Sequence, residues 1–202
     1  MIGKTELSRR GTAARARVRL VFALVAALLC VANGPARADN PGETSITYAG
    51  INSRHGTYLL DVLVNYQISR ALKEALTSGV HLELVIRAEV LRENAWLPDT
   101  AIVEKEFRFR LHYNALLEKY LVKNENNGDL ESFSDLAAAL RYSGKLLNAK
   151  LLSASRLEPE ETYYCQVRAM LDQAGLSLPL RMVAFIKPVW RIKTDWYVLP
   201  LR

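Results

Sequence analysis

Two stretches near the middle of the chain alternate so regularly that they leave little choice of structure. From Val80 the even positions Val80, Leu82, Leu84, Ile86, Ala88 and Val90 are apolar, while His81, Glu83, Arg87 and Glu89 are polar. From Val103 the parity reverses. Val103, Phe107, Phe109, Leu111 and Tyr113 are apolar, and Glu104, Glu106, Arg108, Arg110 and His112 are polar. A period of two sends successive side chains to opposite faces, so each stretch is a strand with one face on a core and one toward water. Paired antiparallel with both apolar sets on one side, opposed residue numbers must sum to an odd number near 191 or 193. Glu83 then faces Arg108 or Arg110, and Arg87 faces Glu104 or Glu106. Such opposite-charge pairs add only about 0.2–1 kcal/mol each, but they disfavour slipped registers. The charge ladder is expected as a solvated sheet face, with a ligand groove as the alternative.

Strands of the same kind flank this pair. Ile46–Asn52 and Thr57–Asn65 are β-branched and apolar around Ser53-Arg54-His55-Gly56, the pattern of a hairpin with a glycine in its turn. Thr162–Leu171 alternates again, with Tyr163, Cys165, Val167, Ala169 and Leu171 on one face. Pro179–Lys187 reads as extended, and Trp190–Val198 closes the chain.

Between the strands the period changes. Ile68, Ala71, Leu72, Ala75 and Leu76 fall on one helical stripe, predicting a helix over Gln67–Ser78 capped by Asn65 and ended by Gly79. A second helix is expected over Ser132–Ser143, with Ser132 and Asp135 as a capping box, Gly144 as its stop, and Phe133, Leu136, Ala137 and Leu140 as its apolar stripe. Ala115–Val122 is ambiguous between a helical turn and a strand, Lys123–Asp129 is a polar loop, and Ala149–Ser153 is a weaker strand. No long internal repeat is visible. The order ββ-α-ββ-(β)-α-β-ββ is that of an α+β domain. It is predominantly antiparallel, with a sandwich-like arrangement open to it and two amphipathic helices packed on one sheet face.

The first 38 residues obey other rules. Lys4, Arg9, Arg10, Arg15, Arg17 and Arg19 precede an unbroken apolar run, Leu20–Ala32, of 13 residues. That is short of the roughly 20 needed to span a bilayer. Asn33-Gly34-Pro35 breaks the run, and Ala36-Arg37-Ala38 is a small-x-small cleavage site. Residues 1–38 are therefore expected to be a cleavable secretory signal, 39–44 a flexible leader, and 45–202 a single globular domain, with no transmembrane segment after cleavage. The alternative is a retained membrane anchor. Ser8-Arg9-Arg10 lacks the bulky apolar residue that a twin-arginine signal wants next, and Leu29 is too large to precede a lipidated Cys30.

Removing the signal changes the charge. Seven of the 27 basic residues and one of the 21 acidic ones lie in 1–38, so 20 of each remain. The mature chain is formally neutral, which argues against nucleic acid as a partner. With Cys30 gone, Cys165 is the one cysteine, so no intramolecular disulfide forms and the core must hold the domain. Its place on an alternating face makes Cys165 a buried, inert side chain.

Catalytic motifs are not found. The histidines His55, His81 and His112 sit in no metal-binding spacing, although His81 and His112 lie on the polar faces of the paired strands and are candidate neighbours. There is no GxSxG, P-loop or GxGxxG. No catalytic, cofactor-binding or metal-binding residue is assigned. The candidates are aromatic. The connector Arg92–Thr100 (RENAWLPDT) places Trp96 and Leu97 at a hairpin tip, where polar residues are usual, and Trp190 and Trp196 stand near the C-terminus. Trp96 either folds back onto a neighbouring loop or stands exposed for a partner.

Taken together, GVHLEL at Gly79, FRFRLHYNAL at Phe107, Tyr120-Leu-Val, Ser132-Phe-Ser-Asp-Leu-Ala-Ala-Ala-Leu, the stretch Tyr164–Asp172, Leu178-Pro-Leu-Arg and Trp190…Trp196 resemble one family. It is domain of unknown function 4390, short exported proteins of proteobacteria, and the resemblance covers roughly residues 45–202. His81 stands where a Pro is expected, and Tyr197-Val-Leu-Pro replaces a more Trp-rich ending. The resemblance carries no activity. It implies, through the membrane sensor kinases encoded near many members, a place close to envelope signalling.

Three functions remain. The first is a non-enzymatic, exported (periplasmic or envelope) interaction module, an accessory to envelope signalling whose partner is an envelope or inner-membrane protein. The second is a periplasmic small-ligand binder with an aromatic cleft around Trp190 and Trp196. The third is a hydrolase without a recognisable motif. No cofactor is expected for any of them.

Overall fold

The computed structural model describes residues 43–172 and 192–201. The segment expected to be a signal, most of the expected leader, residues 179–187, which were expected to be extended, and Trp190 lie outside the described residues. The chain divides between Ala38 and Asp39, and the architecture below belongs to the second unit.

The strands are β1 (Ser45–Arg54), β2 (Thr57–Asn65), β3 (Leu82–Arg92), β4 (Thr100–Asn114), β5 (Lys119–Asn124), β6 (Leu130–Phe133), β7 (Lys145–Ser153), β8 (Tyr163–Asp172) and β9 (Tyr197–Pro200). Helix α1 is Arg70–Thr77 and α2 is Leu136–Ser143. Among the described residues the strands form two sheets, β1-β2-β7 and β6-β5-β4-β3-β8-β9, with every pairing antiparallel. The fold is α+β, as expected. Both sheets and both helices contribute to one hydrophobic cluster that includes Leu60 and Val62 of β2, Leu84 and Ile86 of β3, Leu72 and Leu76 of α1, and Leu136 and Leu140 of α2.

The first hairpin turns on two residues, His55 and Gly56, both with positive φ (49° and 70°). That is the primed turn whose twist matches the twist of its strands. Thr44, expected in the loose leader, is buried, and its hydroxyl both donates to the Gln67 carbonyl and accepts from the Gln67 N–H.

The register of β3 on β4 is one of the two that the charges favour. Glu83 opposes Arg110 and Arg87 opposes Glu106, a constant sum of 193 from Leu82 to Val90 that is broken by a bulge before Leu91. The even residues Leu82–Val90 are fully buried. The polar face departs from the solvated ladder that was expected. Arg87, Glu106, Arg108, Asp172, Glu83, Arg110, Glu125 and Lys123 form one chain of ion pairs, several of them half-buried. Val85 on the same face is completely buried, flanked in register by Arg108 and Met170, whose long stems suit them to cover apolar surface.

Both helices begin later than their spacing suggests. Ser69, not Asn65, caps α1, its Oγ accepting from the Leu72 N–H at 3.2 Å. Gly79 adopts the expected left-handed φ of 89° beyond the helix end. Asp135, not Ser132, caps α2, because Ser132 is paired with Leu121 in β6. The phase moves with the cap, so Ala139 rather than Ala137 completes the buried stripe. Residues 115–118 are a turn, with the Asn114 side chain accepting from the Leu116 and Leu117 N–H groups, and β5 follows. β7 spans nine residues rather than five, interrupted by Asn148 at φ 52°.

Candidate interaction surface at the second hairpin

The β3–β4 connector is a built loop. The Glu93 N–H donates to the Thr162 carbonyl at 2.9 Å, tying the hairpin to the residue before β8. Asp99 accepts from the Asn94 N–H at 3.0 Å with one oxygen and from the Tyr164 hydroxyl at 2.6 Å with the other. The Asn94 side chain donates to the Pro98 carbonyl and to the Thr100 hydroxyl. The Tyr164 bond, with help from the Asn94 N–H, holds the Asp99 carboxyl below its usual range. The same bond to Asp99, with burial behind it, pushes the Tyr164 phenol up to about 12. A carboxylate bracket thus closes the base of the loop.

Above that bracket the apolar side chains point outward. Trp96 is 96% exposed and Leu97 is 73% exposed. Trp96 does not fold back onto a neighbouring loop. Conformational freedom has been spent on ordering the backbone beneath an indole that makes almost no contact with its own chain. Asn94, Asp99 and Tyr164 were not singled out in the sequence. Their signal was weak: two Asx residues flanking a Trp-Leu-Pro tip, and a tyrosine on the polar parity of β8.

The other aromatic candidate sits elsewhere. Trp196 is half-buried, with the Arg168 guanidinium 4.2 Å from its ring centroid, and lines a cavity of about 300 Å³ beside Tyr197 and Thr194. Arg168 is four residues along β8 from Tyr164, about 13 Å at ~3.3 Å per residue, so Trp196 and Trp96 do not share a site. A larger cleft, about 500 Å³, opens between the end of β2 and the two helices, with Val64, Ile68, Leu136 and Leu140 beside Lys73 and Arg141. The β4–β5 turn exposes a second apolar tip, with Leu116 96% exposed.

His81 and His112 are neighbours, their ring centroids 5.1 Å apart. Burial first, then the charges of His81 and Arg110, lower the pKa of His112. Among the described residues no group of three or more His, Cys, Asp or Glu side chains is placed to hold a metal ion. Cys165 is buried, and burial pushes its thiol up to about 12. Among the described residues no helix is long and apolar enough to cross a membrane.

A family model described as Domain of unknown function (DUF4390) matches residues 42–200. No curated protein and no solved structure matches the chain.

Proposed function

The chain belongs to the family described as Domain of unknown function (DUF4390), and from that premise we propose that it is a non-enzymatic interaction module, working outside the cytoplasm, that engages an envelope partner through the Trp96–Leu97 tip. The observation that carries this reading is the pairing of near-complete exposure at Trp96 with a loop pinned by Asn94, Asp99 and Tyr164. Tryptophan is the side chain most enriched at binding hot spots. A loop already ordered in its bound shape loses less entropy on association. The basic segment and apolar run ahead of Ala36-Arg37-Ala38 support export. An accessory role in envelope signalling is the finer form of the same proposal.

The test is crosslinking and affinity capture of the tagged protein from intact envelopes, with Trp96→Ala as the comparison. The reading expects a specific product that the variant loses while its denaturant melt stays unchanged. Identical products from both proteins would overturn it. A small-ligand role finds support in the cleft of about 500 Å³, a size common for ligand pockets. That role predicts that Lys73→Ala and Arg141→Ala, not Trp96→Ala, carry the loss of function.

A further inference from the structure

We infer that the hairpin tip and the adjoining end of the six-stranded sheet form one docking surface for a protein segment that carries Lys or Arg beside apolar side chains, an inference that rests on the interaction role proposed above. It starts from an asymmetry in the charged face. Toward the Leu82 end of β3 every acid has its base. Glu83 meets Arg108 and Arg110, Glu106 meets Arg87 and Arg108, Asp172 meets Arg108, and Glu125 meets Arg110 and Lys123. Toward the tip the pairing stops. Glu89 stands directly opposite Glu104, and among the described residues neither carboxylate has an ion pair. Glu89 is met instead by the neutral Gln166 amide at 2.7 Å.

The acids continue up to the loop. Glu93 is exposed at the start of the connector, and its N–H is bonded to Thr162. That bond brings in the segment Glu158–Glu161, whose three glutamates are all exposed. Among the described residues, Arg92 and Arg156 are cations near the tip. Arg92 opposes Thr100 and Tyr163 in register, and Arg156 donates to the Ile102 carbonyl at 3.3 Å. Like charges directly opposed in a sheet destabilise it, and in the next row Arg87 lies between Glu106 and Arg168, so among the described residues the Glu89–Glu104 row has cations beside it but none opposite it.

The apolar tip alone would fit either a bilayer or a protein. The carboxylates decide between them, because an anionic lipid surface attracts basic segments and repels acidic ones. A basic segment with apolar side chains satisfies both halves of the surface. From Glu89 to Glu93 is about 13 Å at ~3.3 Å per residue, so with the tip included an extended segment of roughly six to eight residues covers it.

The test uses protein expressed from the full-length sequence, a displayed library of random peptides long enough to span the surface (about 12 residues), and phosphatidylglycerol vesicles. Selected peptides are expected to carry net positive charge beside apolar residues. Resynthesised, they should bind Trp96→Ala at least about tenfold more weakly. The Glu89→Gln/Glu104→Gln double variant, which keeps side-chain shape, should weaken binding about three- to tenfold and flatten the loss seen on raising salt from about 0.05 M to about 0.5 M. Neutral or acidic peptides, no selected peptide, a double variant that binds like wild type, or Trp96-dependent binding to the vesicles would each overturn the inference. The envelope capture separates the two levels. If Trp96→Ala loses the product and the double variant keeps it, the interaction role stands and the basic partner does not. If Trp96→Ala keeps it, both fall.

Discussion

Trp96 and Cys165 occupy opposite extremes of burial, and each yields a measurement. Trp96 makes so little contact with its own chain that Trp96→Ala should change unfolding free energy by no more than about 0.5 kcal/mol, as exposed substitutions do. A denaturant melt checks this, and a loss of several kcal/mol would mean that the indole is buried in solution. Cys165 is completely buried, with its thiol pushed up to about 12 by that burial. The thiolate is the reactive form, so a thiol reagent should label the folded protein far more slowly than the denatured chain. Equal rates would count against its burial. The place of Cys165 was legible from alternation alone, since it shares parity with Val167 and Ala169. The exposure of Trp96 was not, because the bonds that hold its loop reach Tyr164, 65 residues from Asp99.

Among the elements, the junction of α2 with β2 and the ion-paired rows of β3 and β4 give the sharpest tests. The Gly144 carbonyl accepts from the Val64 N–H at 2.8 Å, and a Cβ on Gly144 would lie 2.2 Å from the Val64 carbonyl oxygen. That oxygen is backbone and cannot swing aside. Gly144→Ala should therefore cost about 1–3 kcal/mol in a denaturant melt, the range for overpacking. In the ladder, burial alone would raise the Glu106 carboxyl, but hydrogen bonds from Arg87 and Arg108 outweigh it and hold the pKa below the usual range. A carboxylate with a lowered folded pKa contributes stability that is complete above its unfolded value, about 4.3, and is lost as pH falls through the folded value. Stability measured from pH 6 downward should thus fall more steeply for wild type than for Glu106→Gln. Parallel curves would remove Glu106 from the acid response. Parity and charge left Arg87 facing Glu104 or Glu106, and only the folded sheet chose Glu106. The helix starts were not readable from the sequence, because Asn65, Ser69, Ser132 and Asp135 are all competent caps, and strand pairing at Ser132 removed one of them.

At the scale of the whole domain, one hydrophobic cluster among the described residues joins a three-stranded and a six-stranded sheet through two short helices. A helix of eight residues is marginal alone. Here Leu72 and Leu76 of α1, and Leu136 and Leu140 of α2, are held by the strands they cover. The domain carries no disulfide to compensate for a weakened core, since Cys165 is free. The export hypothesis belongs to this scale. If Ala36-Arg37-Ala38 is the cleavage site, protein purified from the envelope should begin at Asp39 on N-terminal sequencing. Recovery of the uncut chain with Leu20–Ala32 embedded would make it a membrane-anchored protein instead.

What the sequence determined by itself is everything that follows from local period and parity. Alternation assigned the faces of β3, β4 and β8, the charges narrowed the register of the central pair to two, and Ser53-Arg54-His55-Gly56 placed the first turn. These are properties of neighbouring residues, and a strand cannot exchange its faces without exposing its apolar set. Which strands share a sheet was decided only in three dimensions. β7 leaves the strands before it in sequence to pair with β2, and β8 returns to β3. Edge pairing is set by how much apolar surface distant segments bury together, a quantity that no local pattern encodes. The same holds for the acidic end of the sheet. Glu89, Glu93, Glu104 and the Glu158–Glu161 segment are scattered along the chain, and only the pairing of β3 with β4 on one side and with β8 on the other gathers them toward the hairpin end of the sheet.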